Sequence, residues 1–140
     1  MTSMKTRTFA ETSLGEQLPE LSIPITVTLI NGGAIATRDY FPGHHDAEAA
    51  RELGSPHIFM NILTTTALVQ RFIEGWAGPL VSFGDIRIKL GVPNYPGDTM
   101  NFTGEISERD EASRSVVITL KGKNSMGNHA AGTVSLVLPA

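Results

Sequence analysis

The chain has 140 residues, 41% hydrophobic and 18% charged, with no cysteine, so it fits one domain over residues 1–140 and is too apolar to be disordered. Eleven basic against fourteen acidic residues give a formal charge of −3, without the basic stripe that nucleic acid requires. The missing thiols exclude disulfides, thiol nucleophiles and thiolate metal sites, and make a reducing, cytoplasmic setting the default expectation.

Residues 1–12 mix Lys5, Arg7 and Glu11 with hydroxyl residues, lack the apolar run of a signal segment, and read as a loose arm. Residues 23–29 (IPITVTL) form a β-branched run closed by Asn31, Gly32 and Gly33, which predicts an early strand and a turn. A short Ala- and Glu-rich helix is predicted over 47–53, with Asp46 as N-cap and Gly54 just past its end. Residues 58–74 read as a longer helix ended by Gly75, apolar on much of its circumference and therefore buried. Asn61, three threonines, Gln70 and Arg71 interrupt this stretch, so it is no membrane span. From residue 80 the period drops toward two. Strands are predicted over 80–90, 99–107, 115–123 and 130–138, separated by turn clusters at 93–98, 108–113 and 124–128. Connections this short imply an antiparallel meander. The expected architecture is α+β, an antiparallel sheet curled around one central apolar helix, with an open edge that a second subunit can cover.

Chemistry concentrates between the early strand and the buried helix, where Arg38-Asp39-Tyr40-Phe41-Pro42-Gly43-His44-His45-Asp46 forms a Pro-Gly loop. Across that turn Asp39 and His44 can reach one small volume and hold the same water. In competing readings Asp39 only caps the turn, the histidines are solvated, and Asp46 caps the next helix. A metal site from His44, His45, Asp46 and His57 is a further alternative, but no ligand motif of the HExxH kind is present. His129, at the start of the last strand, reads as a surface residue. Neither a phosphate-cradling glycine loop nor a GxSxG elbow occurs.

The segment Asp39-Tyr-Phe-Pro42-Gly-His44-His-Asp46 resembles the D-x-N-P-x-H-x-D loop of MaoC-like (hydratase-2) enoyl-CoA hydratases, with Phe41 in place of the family's Asn. Met60-Asn61-Ile62 falls where the family has a His-Gly-Met-like segment, so Asn61 stands for the Gly. IRIKLGVPNYPGDTM over 86–100 is similar to the family's strand ending in Pro-x-x-x-Gly-Asp. The likeness covers roughly residues 14–138. ATRDYFPGHHD, IFMNILTTTALVQRF, WAGP and KLGVP look most similar to the small, catalytic subunits of actinobacterial steroid side-chain hydratases.

The resemblance implies a hot dog fold and reversible hydration of a 2-enoyl-CoA to a 3-hydroxyacyl-CoA. Asp39 and His44 would be catalytic, and the Asn61 backbone N–H would hold the thioester oxygen. No metal and no cofactor are implied, CoA being part of the substrate. The partner would be a second copy or a homologous hot dog subunit, with neither nucleic acid nor membrane involved. A hot dog thioesterase and a non-catalytic acyl-binding subunit remain as alternatives.

Overall fold

Pro24 closes the first strand, and the chain then changes from extended to helical within two residues. In this computed structural model, which describes residues 5–140, β1 is Leu21–Pro24 and α1 is Val27–Ala36. The predicted strand over 23–29 is therefore half strand and half helix, and Asn31, Gly32 and Gly33 lie inside α1 rather than in a turn. The Thr26 side chain starts the helix by accepting the Leu29 N–H at 3.0 Å. Ile30 and Ala34, four apart, are fully buried beneath it. Two mid-helix glycines cost about 1 kcal/mol each, yet Gly33 is where a second helix comes closest. A Cβ there would stand 2.1 Å from Thr64 Oγ1. Tertiary packing overrides local propensity.

The predicted short helix is α2, Ala47–Glu52, capped by Asp46, which accepts from Glu48 N and Ala49 N, and followed by Gly54 at φ 91°. The central helix α3 is Ile62–Ala77, four residues later than 58 and two past Gly75. Ile58 and Met60 are buried, but in irregular backbone ahead of the helix. Phe59 N donates to Gly43 O at 3.1 Å and Met60 N to Asn94 O at 3.2 Å, so these apolar residues belong to a buried loop segment tied to the site loop and the 91–98 connector, not to the helix. Gly75 has open space around it, whereas Gly78, at φ 89°, ends the helix against the Thr6 backbone.

The remaining strands are β2 Ser82–Leu90, β3 Thr99–Asp110, β4 Ser115–Asn124 and β5 Gly127–Val137. All pairings are antiparallel, in the order β1-β3-β4-β5-β2. Only β3-β4-β5 is a meander. β2 pairs with β5 instead of β3, so the connector over residues 91–98 crosses from one edge toward the middle of the sheet. Alternation turns Met100, Phe102 and Ile106, Val116, Ile118 and Leu120, and Val134 and Leu136 inward. They cover α3, with Phe72 stacked on Phe102 at 5.3 Å between ring centroids. This is the hot dog arrangement.

The expected loose arm is corrected over its described part. Arg7 N donates to Ala77 O and Phe9 N to Pro139 O, each at 2.8 Å, and Phe9 is buried. Residues 1–4 lie outside the described residues. Among those described, no helix is long and apolar enough to cross a membrane.

Candidate active site

The loop that carries Asp39 begins as the C-terminus of α1. Arg38 N donates to Ile35 O at 3.1 Å and Asp39 N to Ala34 O at 2.9 Å, the paired bonds of a Schellman motif. Arg38 takes the left-handed position at φ 56°, which usually falls to glycine. Asp39 is thus tied to the helix end by its own N–H. Pro42 then opens a single 3₁₀ turn, Pro42–His44, that brings the imidazole back toward the carboxylate.

His44 Nε2 lies 3.4 Å from Asp39 Oδ2, with the imidazole largely buried and the carboxylate partly open. The other ring nitrogen, Nδ1, is 2.6 Å from Phe59 O. A carbonyl only accepts, so Nδ1 carries a hydrogen, and Nε2 is the nitrogen that faces Asp39. Phe41 and Phe59 pack edge-on against the ring, at 5.4 and 4.8 Å between centroids. Asp39 Oδ1 accepts the Phe41 N–H at 3.2 Å and Oδ2 accepts from Asn61 Nδ2 at 3.0 Å. These two bonds, Asn61 first, and then nearby His44, hold the carboxyl below its ordinary range. Asp39 Oδ2 and His44 Nε2 therefore sit side by side at the site, where one water can hydrogen-bond to both.

The neighbouring residues have other duties. His45 Nε2 donates to Asp39 O at 2.7 Å, bracing the loop backbone. Asp46 caps α2, as one of the competing readings had it. His57 Nδ1 accepts the Ile58 N–H at 2.8 Å. The alternative metal set fails on geometry, since among the described residues no three His, Asp or Glu side chains converge on an ion-sized point.

Asn61 sits at the head of α3 as its N-cap, Oδ1 accepting the Thr64 N–H at 2.9 Å. Among the described residues no acceptor is bonded to the Asn61 backbone N–H, and it lies at the positive end of a 16-residue helix. Asp39, His44 and Asn61 all line one cleft of about 310 Å³, walled by Phe59, Met60, Ile62, Leu90, Pro93 and His129. Ile62 and Leu90 leave its rim apolar and exposed, beside the unpaired edge of β2.

His129 is corrected from surface to core. It is 2% exposed, with Nδ1 donating to Val92 O at 2.7 Å and Nε2 accepting from Thr65 Oγ1 at 2.8 Å. Burial lowers its pKa, and it serves as a neutral strut joining β5, the 91–98 connector and α3. The connector's part in the cleft and the Asn61 amide were also missed. An Asn ahead of an apolar helix is an N-cap signal, obscured here because the helix start was read at residue 58.

The MaoC like domain family matches residues 9–126. The chain belongs to the MaoC-like hydratase family. It is 42% identical over 125 residues, 89% of this chain and 95% of the other, to the 3-oxo-4,17-pregnadiene-20-carboxyl-CoA hydratase beta subunit of Mycobacterium tuberculosis. The ChsH1-ChsH2 complex of M. tuberculosis contains a chain that superposes with a TM-score of 0.88 at 41% identity, covering 91% of this chain and 98% of that one. R-hydratase PhaJ1 of Pseudomonas aeruginosa shares the fold, with a TM-score of 0.86 at 20% identity, covering 94% and 85%. This MaoC-like chain thus carries its Asp/His loop on a hot dog scaffold at the tip of the central helix.

Proposed function

We propose that the protein adds water across the double bond of a 2-enoyl-CoA, giving a 3-hydroxyacyl-CoA, and catalyses the reverse. The observation that carries this is the 3.4 Å approach of His44 Nε2 to Asp39 Oδ2 beside a cleft at the head of α3. A water held beside both groups bonds through oxygen to Cβ as the pair takes one of its protons, and the pair returns a proton to Cα. One water is added and both groups end as they began. Such acid–base assistance contributes about 10²–10⁴-fold. Between the two bond changes, charge gathers on the thioester oxygen, and the Asn61 N–H, which has no bonded acceptor among the described residues, is its donor. Losing a donor of that kind costs on the order of 3 kcal/mol. The scheme uses no metal and no cofactor, CoA entering only as part of the substrate.

The name of the 42% identical relative supports an acyl group with a steroid-like ring system as the substrate. The complex in which the 41% identical chain is found supports a homologous hot dog subunit as partner. The exposed Ile62 and Leu90 at the rim, beside the open β2 edge, are the apolar surface such a partner would cover.

The test is to incubate the pure protein, alone and with a homologous subunit, with short, long and steroidal 2-enoyl-CoAs, following loss of enoyl absorbance. Hydration of one of them establishes the reaction and its acyl class together. Release of free CoA from a saturated acyl-CoA would mark a thioesterase. Binding without turnover, with or without partner, would mark a non-catalytic subunit.

A further inference from the structure

Asn61 is 3% exposed, and both amide hydrogens and the carbonyl oxygen of its side chain are bonded to the site's framework. Oδ1 accepts the Thr64 N–H at 2.9 Å. Of the two amide hydrogens, one goes to Thr37 Oγ1 and the other to Asp39 Oδ2, both at 3.0 Å. The amide cannot be turned over, because a backbone N–H only donates and an ionised carboxylate only accepts. Thr37 Oγ1 spends its own hydrogen on Gly33 O, 2.8 Å away, which leaves a lone pair for Nδ2. One amide therefore touches the last turn of α1, the first turn of α3 and the carboxylate carried between them.

We infer that Asn61 is a positioning residue whose side-chain amide fixes the Asp39 carboxylate against the head of α3, with Oδ2 turned toward His44. Its catalytic consequence rests on the hydratase reading; its grip on Asp39 does not. Asp39 is partly open to solvent and, besides the Phe41 N–H on Oδ1, has no other hydrogen-bond donor within the described residues. Without the amide the carboxylate is held by the Phe41 N–H alone, Oδ2 is no longer fixed, and the water site it makes with His44 loses its geometry. The same residue also offers the backbone N–H proposed for the thioester oxygen. One residue thus sets the distance between base and oxyanion donor, and an error of about 1 Å there is enough to cost some 10²-fold.

Three variants separate this role from simple capping. Asn61→Ser keeps an N-cap oxygen but is too short to donate to Asp39. Asn61→Asp keeps the cap and sets a like charge against Asp39. Asn61→Ala removes both functions. The primary readout needs no substrate: a carbon-13 carboxyl titration of Asp39 in the full-length protein. The Asp39 midpoint should rise in Asn61→Ser and rise further in Asn61→Asp, while both variants keep more of the wild-type melting temperature than Asn61→Ala. With the fastest substrate among crotonyl-CoA and a steroidal 2-enoyl-CoA, kcat/KM should fall about ten- to a hundredfold in Asn61→Ser, mainly through kcat. An unmoved Asp39 titration in the Ser and Asp variants would overturn the inference. So would activity losses that simply follow melting temperature across all three. If the wild type hydrates neither substrate while the Asp39 titration shifts as described, the hydratase reading falls and the grip of Asn61 on Asp39 stands.

Discussion

At the scale of single residues, the proposed chemistry depends on two side chains that a short turn brings within 3.4 Å. Asp39→Asn keeps the shape and can still accept the Phe41 N–H, but it cannot take a proton. Turnover of a 2-enoyl-CoA should drop by about 10²–10⁴-fold, with a stability loss of only about 1–3 kcal/mol as the Asn61 amide loses its acceptor. His44→Ala should fall as far, since Nε2 goes with the ring. Initial rates and thermal melts on the same preparations check both, and near wild-type rates from either would remove the assignment. His45→Ala should be mild, because its ring braces a carbonyl rather than facing the cleft. The loss is one hydrogen bond of about 1 kcal/mol, visible in the melt, with kcat held within about tenfold. The Asp39 carboxyl sits below its ordinary range, so it is ionised throughout the neutral region and adds no inflection to the rate profile there. A depressed folded-state pKa also means that its contribution to stability is complete above the unfolded value and is lost as pH falls through the folded one. The Asp39/His44 spacing was legible in the sequence because a Pro-Gly turn restricts where the chain can go. The Asn61 amide was not, because its partners Thr37 and Asp39 come from a separate element whose end the sequence did not mark.

At the scale of elements, α1 is the part least visible in the sequence, and it is the part that delivers Asp39. Its β-branched opening and paired glycines favour strand and turn locally, and only its packing against α3 makes it helical. That contact is close: a Cβ on Gly33 would stand 2.1 Å from Thr64 Oγ1 and 2.7 Å from Thr64 Cγ2. Gly33→Ala should therefore destabilise the protein by about 1–3 kcal/mol, as overpacking does, despite its better helix propensity. Thr64 Oγ1 is buried without a hydrogen-bond partner, so Thr64→Ala removes both clashing atoms without orphaning a polar group. The double variant should be more stable than the sum of the singles allows, which denaturant unfolding of all four proteins would measure. Strict additivity would show that the two helices are not in this contact. At the other end of α1, Arg38 occupies a left-handed position that costs a side-chain-bearing residue about 1–2 kcal/mol. Arg38→Gly should be neutral or stabilising, whereas Arg38→Val should lose stability and activity together as the turn into Asp39 opens. The last four strands, by contrast, were legible to within about three residues at their ends, β3 running on to Asp110 and β5 starting at Gly127, since alternating burial over 115–124 leaves only one face for the core.

At the scale of the whole molecule, the fold class follows from one change of period, from the apolar helix to alternating strands, and that change survives local errors in helix boundaries. What the sequence hid was how the chain's two ends close the core. Nothing in residues 1–12 is periodic enough to predict docking, yet Phe9 is buried, its N–H bonds to Pro139 O, and the Arg109 guanidinium lies 3.7 Å over its ring. Arg7 bonds to Ala77 O at the last turn of α3 and lies over Trp76 at 4.9 Å. These contacts gather at the C-terminal end of the central helix, and the Asp39/His44 cleft lies at its N-terminal end. Sixteen helical residues separate the two ends by about 24 Å. Stability and chemistry are therefore anchored at opposite ends of one rod, and they should be separable. Phe9→Ala should cost about 3–5 kcal/mol, the usual loss for a buried aromatic, and lower the melting temperature by roughly 10–17 °C in a domain of this size. Below the variant's own transition, kcat and KM should remain at wild-type values, because no group lining the cleft has moved. A thermal melt and a rate measurement at 15–20 °C below that transition decide the matter. A variant that melts early and works normally shows two independent ends, whereas one that loses turnover while still folded shows that α3 transmits strain along its whole length to the site.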